Sequence, residues 1–398
     1  VIIYEDKGED KNVRQSLKGT RVAAVYIHIP FCKQKCIYCD FNSFPGFAGT
    51  YDSYTEALVD EIDIKAKDLR DCVIDTIYIG GGTPTLFKPD RIAYILGHVD
   101  RCFSINAGVE VSIEANPETL FLEDMIALRA AGINRFSIGF QSLDDECLET
   151  LGRRHSARRA IVSFLEAREA GFKNINVDLI FGIPGQSLAN WALNLEQAVA
   201  LNPDHISCYG LTVEPGTLLK KRIDIGELDK PEDDIQADMM TYTRESLLDS
   251  GYEHYEISNF AKPDNRCKHN LTYWNNDDYI GFGAGAHSKI GDVRYNNIGD
   301  PEDYIKAART GASTAFIQDK TILSPSERLS DAVFLGLRKM DGVVIDEINA
   351  RYECDLVGTY GKEIDDLVDN GLLLMREGTI RLSSKGLLLG NEVFSRFV

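Results

Sequence analysis

Three of the chain's nine cysteines, Cys32, Cys36 and Cys39, fall within one short stretch, "FCKQKCIYC". A C-x3-C-x2-C loop of thiols can hold a metal centre. Structural zinc asks for four ligands, often as two separated pairs, and no second Cys/His pair stands close by; His28 precedes the loop but falls on a strand. Iron–sulfur ligation also normally asks for four thiolates, so three would leave one iron open to something else. Lys33 and Lys35 inside the loop favour reactive thiolates over inert thiols. Two positions beyond Cys39, where a fourth cysteine could sit, the residue is Phe41. The other six cysteines (Cys72, Cys102, Cys147, Cys208, Cys267 and Cys354) are scattered singly, as buried small apolar residues are. The pattern is that of a reducing compartment rather than a secreted disulfide scaffold.

Two further stretches carry chemistry. "GGGTPT" (80–85) puts glycines where a strand ends, so that backbone can approach a ligand closely. "HNLTYW" (269–274) joins an imidazole to two large aromatic rings. Taken by itself it reads as a packed aromatic turn. His287 follows three spaced glycines in "GFGAGAHS", which suggests close backbone packing near the main domain.

The elements that must position these residues recur with a period of about 30 residues, the length of a βαβ unit. The β-rich runs are 23–29, 74–80, 108–115, 134–140, 174–182 and 204–211. Helical patterns follow them over 51–69, 89–100, 120–131, 144–151 with 157–170, 187–201 and 231–250. Six such units predict an α/β fold with parallel strands, either a partial (β/α)6 TIM-like barrel or a doubly wound sheet. In both, ligands sit at the carboxyl ends of the strands. The polar punctuation falls there: the cysteine loop, "GGGTPT", "EANPE", "FQS", "GIPGQ" and "EPGT". The domain boundaries expected are a flexible tail over 1–21, the barrel over 22–250, a loop-rich linking region over 251–323, and a C-terminal winged-helix-like α+β domain over 324–398.

The net charge of -19 argues against a nucleic-acid partner, which needs a basic footprint. Residues 324–398 hold 13 acidic against 9 basic side chains, so the winged helix reads as a packing or partner module and not a DNA reader. No apolar run approaches the roughly 20 residues of a membrane span, and no signal-peptide layout opens the chain. The expected location is cytoplasmic.

The cysteine spacing, with Tyr38 just before the last Cys, resembles the radical S-adenosylmethionine (SAM) superfamily. The resemblance implies a 4Fe-4S cluster on Cys32, Cys36 and Cys39 whose open iron chelates SAM, with one electron cleaving SAM to methionine and a 5′-deoxyadenosyl radical. It implies a radical SAM partial barrel. It also implies SAM contacts at Tyr26, Tyr38, Gly81, Gly82, Thr83, Glu114, Gln141, Arg153, Asp178, Ile180 and Gly210. Gly81, Gly82 and Thr83 would meet the methionine amino group, Arg153 the carboxylate, Asp178 the ribose and Ile180 the adenine. His28 resembles a position near the cluster, in a supporting or a structural role.

Over 22–398 the motif order resembles the branch named for oxygen-independent coproporphyrinogen III oxidase, the HemN-like branch. That oxidase has a further cysteine where this chain has Phe41, and a longer N-terminal extension. The heme chaperones of the branch, of the HemW type, lack both and carry H-N-x-x-Y-W. The resemblance therefore implies heme binding through His269, Asn270, Tyr273 and Trp274, with heme delivered to hemoproteins such as respiratory enzymes. It leaves room for transient contact with a membrane surface and for a homodimer. The alternative is the oxidase itself, or another radical SAM enzyme acting on a tetrapyrrole. For His287, structural and heme-side roles both stay open.

Overall fold

The computed structural model describes residues 21–398, so all of the expected tail except Arg21 lies outside the described residues. The six expected strands are β1 (Arg21–Ile29), β2 (Cys72–Gly81), β3 (Ser104–Ala115), β4 (Arg135–Gln141), β5 (Asn174–Phe181) and β6 (His205–Gly210). They pair in that order, all parallel. Around them run helices including α1 (Tyr51–Lys65), α2 (Pro89–Cys102), α3 (Leu122–Ala130), α5 (Ala157–Glu169), α6 (Leu188–Ala200) and α8 (Asp233–Asp249), packed neighbour on neighbour.

The alternation along each strand sorts its residues onto two faces. Ile27, Ile29, Ile77, Ile79, Val111, Ile113, Phe136, Ile138, Val177 and Leu179 meet the helices and form the main core. The opposite face is polar: His28 on β1, Thr76 on β2, Glu110 and Ser112 on β3, Arg135 and Ser137 on β4, Asn176 on β5, His205 and Ser207 on β6. Both faces are buried, but only one is oily. The interior of this partial barrel is built for chemistry.

Residues 251–323, expected to be rich in loop, contribute six further strands: β7 (Glu253–Glu256), β8 (Asn259–Ala261), β9 (Asp278–Phe282), β10 (His287–Ile290), β11 (Val293–Asn297) and β12 (Ile317–Ile322). All join the same twelve-stranded sheet, in the order β12-β11-β10-β9-β1-β2-β3-β4-β5-β6-β8-β7. β9 lies parallel to β1, a seventh parallel strand, while β8 pairs antiparallel with β6 and β7 antiparallel with β8 at the sheet edge. Between β8 and β9 in the chain sits α9 (Lys268–Trp274), which holds "HNLTYW" and packs on β2 and β9.

The C-terminal domain begins with α11 (Pro325–Gly336), opened by the capping box that Ser324 and Glu327 form. Two more helices, α12 (Ile345–Tyr352) and α13 (Leu356–Asp369), precede a hairpin of β14 (Leu373–Arg376) and β15 (Thr379–Leu382). Leu329, Val333, Leu337, Leu356, Ile364 and Ile380 give it a core of its own. Backbone bonds from Ile257 N to Arg338 O and from Met340 N to Tyr255 O, each 3.1 Å, tie it to the β7–β8 hairpin.

One buried carboxylate fastens the turn after β9. Glu61 on α1 pairs with Lys65 at 2.5 Å and accepts from Gly283 N at 2.8 Å, Tyr304 Oη at 2.6 Å and Asn297 Nδ2 at 2.7 Å. Breaking a buried pair from one side strands the other charge. Glu61→Ala is therefore expected to lose about 3–5 kcal/mol in denaturant unfolding, while the exposed neighbour Asp60→Ala stays within about 0.5 kcal/mol of the parent.

Candidate functional site

The cysteine loop leaves β1 at Ile29 and is closed at its base, where Phe31–Cys32 pairs with Phe44–Pro45 and Phe44 N donates to Pro30 O at 2.7 Å. Within it Ile37 is clamped by backbone bonds to Leu151 O (3.4 Å) and from Leu219 N (2.8 Å). Asn42 Nδ2 donates to Ala284 O at 3.1 Å and to Gly299 O at 3.0 Å, which fastens the far side. His28 completes the fixing. Asn42 O can only accept, so His28 Nε2 carries the proton at 2.9 Å and Nδ1 accepts from Tyr26 Oη, also at 2.9 Å. Burial lowers the His28 pKa, in keeping with a neutral ring.

The three thiols are free and partly exposed. Thr83 Oγ1 donates to Cys32 Sγ at 3.6 Å, Arg153 Nη1 to Cys36 Sγ at 3.4 Å, and Ser43 Oγ lies 3.8 Å from Cys39 Sγ. Burial pushes the Cys32 and Cys39 thiols up, against these hydroxyl contacts, so metal loading there would release protons. A mononuclear site gathers its ligands around one ion, and no three His, Cys, Asp or Glu groups do so among the described residues. A four-iron cube instead takes thiolates at separate corners. The donor set of three thiols, bordered by hydroxyls and a guanidinium, fits such a cluster with one corner left over.

The glycine run at the end of β2 is explained by how near it passes to that loop. Gly82 N donates to Ile29 O at 2.9 Å and Thr83 N to Phe31 O at 2.8 Å. A Cβ on Gly82 would lie 2.6 Å from Phe31 O and 2.9 Å from Cys32 Sγ. Gly81 adopts a φ of 118° and would strike the His28 ring. Its N–H donates to Glu114 Oε2 at 3.1 Å, while Tyr78 Oη holds Glu114 Oε1 at 2.9 Å.

The remaining strand-end residues converge on the same mouth. Arg153 reaches from Nη2 to Asn116 Oδ1 at 2.7 Å and Gly139 O at 3.2 Å. Its Nε is buried with no hydrogen-bond partner. The pocket beside it is also lined by Cys36, Thr83, Asn116 and Glu118. Burial works to raise Glu118, but His155 and Arg153 hold it down at about 2. Asp178 is braced by Ser137 Oγ and Asn176 Nδ2, both at 2.8 Å. Ile180 packs with Ile37 under the loop, and Tyr38 against the same cluster. Gln141 ends β4 at a φ of 63°, a strained setting for a non-glycine residue. Gly210 ends β6 against the Phe181 ring.

"HNLTYW" is not at this mouth. Glu110, on the inner face of β3, accepts from Lys268 N at 3.1 Å and His269 N at 3.2 Å, an acid at the N-terminus of α9. His269 is 1% exposed. Both ring nitrogens are engaged, Nδ1 with Thr76 Oγ1 at 2.8 Å and Nε2 with Tyr273 Oη at 2.9 Å. Burial, then Arg135, lowers its pKa to about 3, so the ring is neutral. Trp274 lies under Arg338 of the C-terminal domain, 4.6 Å from guanidinium to ring centre. Asn42, Tyr78, Asn116 and Arg135 went unnoticed in the sequence. Arg135 and Tyr78 had a signal, a polar side chain at alternate positions in otherwise apolar strands; Asn42 had none.

The Glu114 carboxyl is pushed up to about 7 by burial and then by Asp178, against its Tyr78 and Gly81 donors. A carboxyl raised in the folded state stabilises the fold at low pH, and that contribution is lost as pH rises through about 7. A protonated-carboxyl infrared band is expected to fade across about pH 7 and to be smaller in Glu114→Gln. Glu256, pushed by burial to about 7, supplies the residual signal. A band unchanged in Glu114→Gln would contradict the assignment.

Residues 26–196 match the Radical SAM superfamily, and residues 323–389 the HemN C-terminal domain. A Bacillus subtilis (strain 168) protein named heme chaperone HemW is 38% identical over 377 residues, 94% of this chain and 99% of the relative. A protein of the same name from Lactococcus lactis subsp. lactis (strain IL1403) is 35% identical over 376 residues, 94% of this chain and 97% of that one. The solved structure of coproporphyrinogen III oxidase (HemN) from Escherichia coli, described as a radical SAM enzyme, superposes with a TM-score of 0.84 at 26% identity. The match covers 96% of this chain and 91% of that one. With a cysteine loop, glycine run and strand-end mouth of this form, the chain belongs to the radical SAM superfamily and, within its HemN-like branch, to the HemW family.

Proposed function

We propose that this chain is a heme chaperone: a radical SAM-type iron–sulfur protein that binds heme and hands it to hemoproteins. The observation that carries the reading is its likeness, over 94% of its length, to relatives named heme chaperone HemW. Phe41, 64% exposed, occupies the position where the oxidase pattern has a further cysteine, which is in keeping with that reading.

Cys32, Cys36 and Cys39 would hold a 4Fe-4S cluster. Such a cluster, when bound, supplies one-electron chemistry toward SAM. The chain's own part is positioning. Glu114 and the Gly81–Thr83 backbone would receive the methionine amino group, and Arg153, with its spare Nε, the carboxylate. Asp178 would face the ribose and Ile180 the adenine. Tyr26, Tyr38, Gln141 and Gly210 would line the remainder of the site. His269, Asn270, Tyr273 and Trp274 are the heme candidates, with the imidazole as ligand and the rings as flat apolar faces. His269 can reach iron only by leaving Thr76 and Tyr273. No helix of the described residues is long and apolar enough to cross a membrane. Delivery to respiratory hemoproteins would be by transient contact with a membrane surface from the cytoplasm, by a monomer or a homodimer.

After anaerobic reconstitution with iron and sulfide, the protein is expected to bind heme in titration and to leave coproporphyrinogen undecarboxylated with SAM and reductant present. Turnover to protoporphyrinogen would overturn the chaperone reading in favour of the oxidase. Changing Cys32, Cys36 and Cys39 together to Ala is expected to abolish the broad iron–sulfur absorbance. Persistence of that absorbance would mean other ligands.

A further inference from the structure

Three rings meet inside the barrel. His269 stacks on Tyr78 with centroids 5.0 Å apart and planes at 25°. Tyr26 lies 6.3 Å from Tyr78, again at 25°, and 6.4 Å from His269. Each tyrosine then reaches one component of the mouth. Tyr78 Oη donates to Glu114 Oε1, whose other oxygen accepts from Gly81 N. Tyr26 Oη donates to His28, which grips the backbone of the cysteine loop at Asn42.

His269 is the fixed member of the three. Its ring nitrogens are tied to Thr76 on β2 and to Tyr273 one turn on along α9. The helix that carries it is anchored by two backbone N–H bonds to Glu110. Tyr78 has no such anchor beyond Glu114. Its ring also crowds Gly80, where an added Cβ would lie 3.0 Å from Tyr78 Cε1 and 3.1 Å from Glu114 Cδ. A Tyr78 ring that lost its stacking partner could rotate away from Glu114.

We propose that His269 is a positioning residue for SAM: its imidazole, fixed by Thr76 and Tyr273, props the Tyr78 ring so that the Tyr78 hydroxyl holds Glu114 toward the strand-end glycines. This rests on the reading that SAM binds at that mouth. The motif that the family resemblance links to heme is thereby wired to the SAM mouth. Glu114 is faced by Asp178, Tyr78, Gly81 N–H and Arg135 and by Tyr26, Tyr209 and Tyr273; of these, Tyr78 leans on the His269 ring and Tyr273 bonds its Nε2.

The experiment compares the cluster-loaded parent with His269→Ala, His269→Phe, Tyr78→Phe and the His269→Ala/Tyr78→Phe pair. SAM affinity is read by calorimetric titration and the Glu114 ionisation by infrared difference spectra. His269→Ala and Tyr78→Phe are each expected to weaken SAM about fivefold, the worth of one hydrogen bond. The pair should be no weaker than either alone, because both remove the same contact. His269→Phe keeps a ring against Tyr78 without the nitrogens that fix it, and should bind SAM between His269→Ala and the parent. In both weakened single variants the Glu114 midpoint should move up, since a donor to the carboxylate is lost. That second readout needs no SAM. A parent that binds no SAM would sink the functional reading, while a shifted Glu114 midpoint in His269→Ala would still support the prop. His269→Ala with parental SAM affinity and an unmoved Glu114 midpoint would overturn the proposal. So would His269→Phe as weak as His269→Ala.

Discussion

Arg135 is a guanidinium, 2% exposed, at the centre of a sheet face that must fold around it. Burial opposes its charge, which Glu110 on the neighbouring strand favours; the Cys267 thiol and the Tyr78 and Tyr255 phenols beside it are themselves pushed up and stay neutral. A buried charge without a counter-charge would be intolerable, so Glu110 has to stand near it on the neighbouring strand. Glu110 then has lone pairs to spare, and the N-terminus of α9 supplies the donors. From that helix follow His269, Tyr78 and Glu114. The same positive charge, after burial, depresses two of the buried imidazoles, His205 and His269. Burial keeps those two rings neutral, and the interior cation adds to it.

The cysteine loop depends on a second set of constraints, which come from far along the chain. Gly283 and Gly285 belong to "GFGAGAHS". A Cβ at Gly283 would lie 2.4 Å from His28 O, and one at Gly285 would lie 2.3 Å from Asn42 Nδ2. Those glycines are small so that the loop can lie against them, which accounts for the spacing in structural terms. The His287 side chain is exposed on β10 and takes no part in that contact. His28, left between two roles by the sequence, holds the loop in place through Asn42.

What the sequence made legible were features with a local signature. The βα period gives six parallel strands because alternation and helix amphipathicity are each contained in a dozen residues. The cysteine trio and "GGGTPT" are equally local. The seventh parallel strand was missed because Asp278–Phe282 is only five residues long and follows an Asn- and Asp-rich turn. Its apolar content resembles a loop until β1 is beside it. The state of His269 was illegible for a sharper reason: Thr76, the partner of Nδ1, is 193 residues away. A motif discloses which side chain it carries, but not whether the fold has already occupied that side chain's valences.

That occupation bears on how heme and SAM could share one protein. An imidazole nitrogen bonded to a hydroxyl is not a free ligand, and both nitrogens of His269 are so bonded. Ligating iron through His269 would require its ring to leave Thr76 and Tyr273, and that would take the prop from Tyr78. Linkage makes such a trade reciprocal: if a heme held by His269 weakens SAM, SAM must weaken that heme by the same factor. The C-terminal domain is attached at the far end of α9. Arg338 covers Trp274, and Arg351 donates to Asn275 O at 2.9 Å and Asn276 O at 3.0 Å, just past the helix end. Lys339 joins them through Asn275 Oδ1 at 2.7 Å. Any partner that draws the C-terminal domain aside would loosen α9 from its C-terminal end while Glu110 still holds the other. A helix released there keeps His269 at its held end, because Glu110 accepts the His269 N–H itself, so it is Tyr273 and Trp274 that a release would free.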